Sequence, residues 1–445
     1  MNNTKLKYYI WIIGCQMNKS DAERVVSVLN DLGFERTEDE KSADLIIALA
    51  CSVRQTAIDR IYGKAKKWNE IKKNRKLITM LSGCVLDADK PKMGKIFDYL
   101  FNISDLSKLP LLLGESDSVR CQDYFKIKPI YESYFSAFIP IMTGCNNFCT
   151  YCAVPYTRGR EKYRERQEII KEILGLVKKG YKEITLLGQN VNSYGISKQL
   201  TVNTSTILST GSKQGDQETN NKNNFAELLR EVNKIPGNFW IRFLTSNPHD
   251  MSDEIIDAVA ESKKICEYIH LPVQVGNNEV LKNMNRKYTR EHYLELIEKI
   301  KTRIPGVAIS TDTIVGFPGE TKEQFKDTID IYQKVGYTMA YIAQYSPRSG
   351  TVSAKMKDDV SREEKKRRDK ELTSILEKTA LKDNEKYINE TIDVLVDLKK
   401  KDYLYGRTRT YKLVQFKGEE DLIGNFVKVK ISSVTPWAMK GDIIE

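Results

Sequence analysis

Three cysteines fall within eight residues, in the run Cys145-Asn-Asn-Phe-Cys149-Thr-Tyr-Cys152, directly after an apolar segment at 136–142. Thiolates packed this densely hold zinc or an iron–sulfur cluster. Structural zinc takes four protein ligands. No fourth candidate is near: the next cysteine is Cys266 and the closest histidine is His249. Three ligands suit a four-iron cluster with one iron left open, and an open iron can chelate a substrate. Such a loop needs a scaffold that presents it at the end of a strand, as a βα-barrel does.

The chain around the loop has that alternation. Residues 131–368 carry six strand candidates, at 136–142, 183–187, 239–244, 266–271, 307–315 and 337–344, separated by helical patterns. Six units rather than eight predict an open, partial (β/α)6 barrel with a wide mouth. Residues 5–120 read strand–helix–strand–helix, with strands at 6–13, 44–50 and 76–81, which predicts an α/β domain with a flavodoxin-like parallel sheet. Ser20 and Glu23 make an S-x-x-E pattern that predicts a capped helix start, with the helix running to about Leu32. A basic helix is expected over 52–73. After a charged helix at 361–384, residues 381–445 carry five short strands, which predicts a small β-barrel of oligonucleotide-binding type. Segment 197–224 is rich in Ser, Thr, Asn, Gln, Lys and Gly, and reads as a flexible surface insertion.

A second set of thiols emerges once the strands are placed. Cys15, Cys51 and Cys84 each end a strand candidate of the first block, with separations of 36 and 33 residues. Open α/β sheets place ligands at those ends. If the strands are neighbours, the three sulfurs converge, and a second cluster with an open iron is the inference. Lone buried cysteines also serve as small hydrophobes, and Cys121 and Cys266 read that way. Eight cysteines, with no signal segment at the start, point to reduced thiols in the cytoplasm. No apolar run approaches the roughly 20 residues of a membrane span.

The 71 Lys and Arg against 60 Asp and Glu give a net charge of +11, which suits a polyanion such as RNA. Segment 60–76 has eight basic residues and one acidic, and segment 158–166 has five and two. Both are candidate phosphate contacts. Residues 381–445 are nearly balanced, with 12 basic and 11 acidic, so RNA contact there would rest on Arg407, Arg409 and Tyr411.

The motifs carry a resemblance. They are GCQMNKSDAE (14–23), CSVRQTA (51–57), GCNNFCTYCAVPYTRGRE (144–161), LLGQNVNSYG (186–195), RFLTSNPHD (242–250), HLPVQVGNNEVLKNMNRKYT (270–289), TDTIVGFPGET (311–321) and YSPRSGT (345–351). Through them the chain resembles the methylthiotransferase family of the radical S-adenosylmethionine (SAM) superfamily, along nearly its whole length. Its end, from LYGRTR (404–409) to PWAMKG (436–441), resembles a TRAM domain.

The resemblance implies two [4Fe-4S] clusters. One is an auxiliary cluster on Cys15, Cys51 and Cys84. The other is the radical-generating cluster on Cys145, Cys149 and Cys152, with S-adenosyl-L-methionine on its open iron. The implied reaction is methylthiolation at C2 of N6-dimethylallyl (isopentenyl) adenosine, next to the anticodon in tRNA. The CQMN segment separates this substrate from the alternatives in the same family, threonylcarbamoyl-adenosine in tRNA and a ribosomal protein. Leu49-Ala50 stand where the family commonly has Asn-Thr, and Val85-Leu86-Asp87 replace a Met/Ala-Gln pattern. Neither departure removes a cluster cysteine.

The implied partners are the tRNA anticodon loop, an electron donor such as flavodoxin or ferredoxin, and a sulfur donor. A monomer with no membrane association is expected. Gln189, Asn190, Ser246, Gln274, Asp312 and Tyr345 lie at or just beyond barrel strand ends and are the candidate contacts to S-adenosylmethionine or base. Segment 316–320 (GFPGE) reads as a strand-to-helix turn near the cofactor adenine.

Overall fold

The computed structural model describes residues 5–51, 55–114, 123–195 and 224–444. Cys121 and the 197–224 insertion, except Asn224, lie outside the described residues.

The first domain is a parallel sheet of strands β1 (Lys7–Ile13), β2 (Glu35–Arg36), β3 (Leu45–Cys51), β4 (Ile78–Cys84) and β5 (Tyr99–Leu100), in the order β2-β1-β3-β4-β5. That order is flavodoxin-like, as expected. Strand β3 is central because it is apolar on both faces. Ile47 and Leu49 pack with Val25 and Leu29 of helix α1 (Gln16–Asp31). Ile46, Ala48 and Ala50 pack with Ile58, Ile61 and Trp68 of helix α2 (Gln55–Lys72).

Helix α1 starts four residues before the expected cap, with Cys15 at its N-cap position. The S-x-x-E pattern is not a capping box. Ser20 Oγ accepts from Arg24 Nη1 at 2.9 Å and donates to the Phe138 carbonyl at 3.3 Å. Glu23 Oε1 accepts from the Glu132 N–H at 3.3 Å. These polar groups serve the contact with the second domain, so α1 is buried on two sides.

The second domain is the expected open barrel. Strands β6 (Ser136–Pro140), β9 (Glu183–Leu187) and β10 (Trp240–Phe243) pair in parallel. Strands β11 (Tyr268–His270), β12 (Ala308–Val315) and β13 (Met339–Gln344) do the same. A single parallel bridge, Ile241 to Ile265, joins the two groups. A short antiparallel pair, β7 (Met142–Thr143) and β8 (Lys162–Tyr163), flanks the cysteine loop.

Helix Arg362–Glu385, capped by Ser361 Oγ on the Glu364 N–H at 3.2 Å, leads to the third domain. There β14 (Thr391–Lys400), β15 (Tyr403–Thr408), β16 (Leu413–Phe416), β17 (Phe426–Val434) and β18 (Met439–Ile444) close a barrel in the order β14-β15-β16-β18-β17. Val394, Leu404, Val414, Phe416, Val429 and Met439 fill it.

This small barrel docks at the amino ends of the large barrel's strands. Leu395 and Phe426 meet Trp240, Cys266 and Phe135. The Cys266 thiol is structural, and burial pushes it up to about 12. Arg409 pairs with Glu267 at 2.6 Å and caps the Ile265 carbonyl. Tyr411 stacks on Tyr268 with ring centroids 4.9 Å apart, and Arg407 lies over Tyr411. Of these three residues, expected to hold RNA, Arg409 and Tyr411 join the two domains, while Arg407 stays within the small barrel on Asp397 and Tyr411. Among the described residues no helix is long and apolar enough to cross a membrane.

Candidate cluster-binding sites

The first trio is set by sheet register. Ile13 of β1 pairs with Ala50, and Ala50 pairs with Gly83. Cys51 pairs directly with Cys84. Neighbouring strands lie about 4.8 Å apart, so the two thiols stand side by side, and Cys15 joins them at the start of α1. Cys84 is buried, Cys51 half-buried and Cys15 open to solvent. The Cys15 mouth is nonetheless walled by protein. Desolvation there, followed by the Cys84 thiol beside it, pushes the Cys15 thiol upward. Gly83 takes a φ of 98°, and a Cβ on it would stand 2.4 Å from the Ala50 carbonyl. Only glycine lets β4 end this close to β3.

The second trio lies on the loop between β7 and β8. Gly144, with φ 82°, opens it; a Cβ there would stand 2.1 Å from the Arg160 carbonyl. The loop is pinned by its own backbone. The Cys145 N–H donates to the Gly159 carbonyl at 3.2 Å, and the Thr150 N–H to the Met284 carbonyl at 3.0 Å. Asn285 Nδ2 donates to the Asn147 and Phe148 carbonyls at 3.2 and 3.0 Å. Burial, and then the neighbouring thiols, push Cys152 up to about 12. Burial likewise pushes Cys145 up to about 11.

A thiol set of this kind fits a cluster better than a lone ion. Each thiolate raises the cost of the next, and a polynuclear cation relieves that cost. A four-iron cluster spreads its thiolates around a larger body.

Two buried arginines touch the sulfurs. Arg286 Nη1 donates to Cys149 Sγ at 3.4 Å, while Tyr288 Oη accepts from its Nε at 3.0 Å. Arg158 Nε donates to Cys84 Sγ at 3.1 Å. The sequence gives little sign of either role. Arg158 sits in the basic run 158–166, of which Arg160 and Lys162 stay exposed while the other three cations are held in ion pairs. Arg158 pairs with Asp21 and Arg164 with Glu172, and Arg166 meets Glu227 and Glu231. In the other basic run, Lys64 pairs with Glu40, Lys72 with Asp98 and Lys73 with Glu70, and Arg75 caps the Lys41 and Ala43 carbonyls. Arg60, Lys66 and Lys67 stay exposed on α2.

The remaining candidates divide. Gln189 Oε1 accepts from the Gly144 N–H at 2.5 Å and so holds the cysteine loop. Asn190 Nδ2 donates to Asp250 at 2.6 Å. Asn190 Oδ1, Asn192 Oδ1 and Ser246 Oγ are buried beyond the ends of β9 and β10 with no partner among the described residues. Acceptors orphaned in this way fit a polar cofactor. Gln274 is buried with φ 66°, and its N–H donates to the Asp312 carbonyl at 2.9 Å. Asp312 lies inside β12 rather than at its end, with its carboxylate 3.4 Å from His270 Nε2. The Tyr345 hydroxyl is spent on Ser353 Oγ at 3.0 Å. Residues 316–320 do form the turn from β12 into helix Lys322–Val335, and Glu320 there pairs with buried Arg368 at 2.8 Å.

The chain is similar to known proteins along its whole length. Residues 139–331 match the radical SAM superfamily, residues 7–102 the uncharacterized protein family UPF0004, and residues 385–444 the TRAM domain. A tRNA-2-methylthio-N(6)-dimethylallyladenosine synthase of Thermoanaerobacter pseudethanolicus is 42% identical over 462 residues, covering 99% of this chain and 93% of that one. Proteins of the same name from Carboxydothermus hydrogenoformans and Clostridium perfringens are 40% identical, covering 98% and 100% of this chain and 99% of each of theirs. A radical S-adenosylmethionine methyltransferase, TsrM, of Kitasatospora setae, with cobalamin and a [4Fe-4S] cluster bound, superposes with a TM-score of 0.55 at 13% identity. It covers 79% of this chain and 77% of that one, a likeness of fold alone. Full-length identity at this level, with all three domains in place, shows that the chain belongs to the tRNA-2-methylthio-N(6)-dimethylallyladenosine synthase family of radical SAM methylthiotransferases, which use S-adenosylmethionine and [4Fe-4S] clusters.

Proposed function

We propose that this protein methylthiolates C2 of N6-dimethylallyladenosine in tRNA. In this reading Cys145, Cys149 and Cys152 hold the radical-generating cluster, and Cys15, Cys51 and Cys84 hold an auxiliary one. The observation that carries it is the pair of three-thiol sets, one at the carboxyl ends of the parallel strands β1, β3 and β4 and the other on the single loop that follows β6 and β7. Bound there, the two clusters and S-adenosylmethionine supply a carbon radical and a sulfur carrier, which an unactivated C–H requires.

The chain's own residues bind, orient and shield. Cys145, Cys149 and Cys152 would hold the cluster, and Asn190, Asn192, Ser246 and Gln274 would offer polar contacts to S-adenosylmethionine. Asp312 and His270 line the barrel lumen. The docked small barrel covers the amino end of the large one, so water and base enter from the carboxyl side. An anticodon-loop base reaches this depth only when splayed from its stack. An electron donor such as flavodoxin or ferredoxin, and a sulfur donor, complete the turnover. We read the protein as a cytoplasmic monomer.

The test is mass spectrometry of tRNA nucleosides from cells with and without the gene, together with iron analysis of reconstituted protein. The expected results are loss of the 2-methylthio nucleoside and about eight irons per chain. An unchanged nucleoside profile, or a single zinc, overturns the reading. Cys145→Ala should abolish 5′-deoxyadenosine formation.

A further inference from the structure

One side chain of the barrel domain reaches a thiol of the first domain. Arg158 follows Cys152 by six residues on the barrel chain, yet its guanidinium lies inside the first domain. Nε donates to Cys84 Sγ at 3.1 Å. Nη2 donates to Asp21 Oδ2 at 2.6 Å and to Asn18 Oδ1 at 3.4 Å. The Arg158 and Asp21 side chains are 2% and 0% exposed. The other Asp21 oxygen accepts from the Tyr124 hydroxyl at 2.5 Å. Asn18 and Asp21 belong to α1, the helix that begins beside Cys15.

A buried ion pair between domains would be satisfied by the Asp21 contact alone. It does not account for the Nε–H, which is aimed at sulfur. A thiol is a weak acceptor, but a cluster-bound thiolate is a strong one, so this bond tightens when Cys84 ligates metal. Hydrogen bonds to ligating sulfurs and the net charge nearby set the potential of an iron–sulfur cluster. A guanidinium this deeply buried acts with less screening than one in water. Asp21 balances part of that charge and, with Asn18, fixes the fork.

We propose that Arg158 is a positioning residue for the auxiliary cluster, supplied across the domain boundary, and that it raises that cluster's reduction potential. The proposal rests on the reading of Cys15, Cys51 and Cys84 as cluster ligands. It makes the electronics of one cluster depend on a segment that grows out of the loop of the other. Arg286 plays the matching part at Cys149 but comes from the same domain as its sulfur.

The test uses the full chain with Cys145, Cys149 and Cys152 replaced by Ala, so that only the auxiliary site remains. That parent should hold about four irons. If it holds none, the ligand assignment itself is wrong, before Arg158 is touched. Redox titration followed by electron paramagnetic resonance then compares three further substitutions. Arg158→Gln removes charge and hydrogen bond and should lower the midpoint. Arg158→Lys keeps the charge without the guanidinium fork and should fall between Arg158→Gln and the parent. Asp21→Asn leaves the guanidinium uncompensated and should raise the midpoint. Shifts of opposite sign at two partners of one ion pair are not what a purely structural contact gives. Unchanged midpoints in Arg158→Gln and Arg158→Lys, at full iron content, overturn the proposal. If Arg158→Gln does not fold, an unchanged midpoint in Arg158→Lys overturns it alone.

Discussion

Arg242 Nε donates to Glu183 Oε1 at 2.5 Å, and the same guanidinium donates to the Thr408 and Arg409 carbonyls at 2.8 Å. One buried side chain thus joins two adjacent barrel strands to the terminal domain. The Arg242 side chain is 1% exposed, and the cation also lies over the Trp240 and Tyr411 rings.

Arg242→Met should therefore destabilise the protein more than an ordinary core substitution. It strands the Glu183 carboxylate and two carbonyls, at a cost of about 3–5 kcal/mol. Denaturant midpoints of the two proteins check this. A change within 1 kcal/mol, on the scale of a surface pair, would contradict it.

Glu23 gives a pH dependence. Burial, with Glu132 and Glu172 nearby, holds its carboxyl up at about 7, against the opposing Glu132 N–H and Arg24. The folded protein keeps this proton up to about pH 7, whereas the unfolded chain releases it near its ordinary value of 4.5. Stability from this group is full below about pH 4.5 and is lost as pH rises through 7. Glu23→Gln should flatten that slope and gain about 2 kcal/mol at pH 8 relative to wild type. Urea unfolding at pH 5 and pH 8 measures it.

The two glycines predict selective metal loss. Gly144→Ala should spoil the 145–152 loop and leave about four irons, lost from the radical site. Gly83→Ala should spoil the other site, by prising β4 from β3. Iron analysis combined with 5′-deoxyadenosine assays separates the two outcomes. Cleavage of the cofactor should survive only in the Gly83 variant.

Arg409→Gln should lower the melting temperature without changing the salt dependence of tRNA binding. The side chain is spent on Glu267 and the Lys263 and Ile265 carbonyls. A phosphate-binding arginine would instead reduce the salt slope by about one. Binding measured over a range of salt concentrations decides between them.

The central strand of the first domain was legible because burial on both faces leaves an unbroken apolar run, as in 45–50. The cysteine loop was legible because its three thiols are local. What could not be read is long-range pairing. Ser20 and Glu23 match a helix cap in text, but their polar groups are claimed by residues more than a hundred positions away. Arg158, Arg407 and Arg409 look like RNA contacts to a count of charges. Their partners, or the rings they cover, become visible only in the fold. Asn190 and Ser246 stand out in sequence by their place at strand ends, but that their oxygens lack a partner is visible only in the fold.

The pairing of Cys51 with Cys84 turns hydrogen-bond register into a caliper. Along the unfolded chain these thiols are 33 residues apart, and nothing in that stretch measures their spacing. The ladder between β3 and β4 does. A slip of one residue would send Cys84 to the opposite face of the sheet. In the proposed role as cluster ligands, these two thiols would stand together only when β3 and β4 have paired in register.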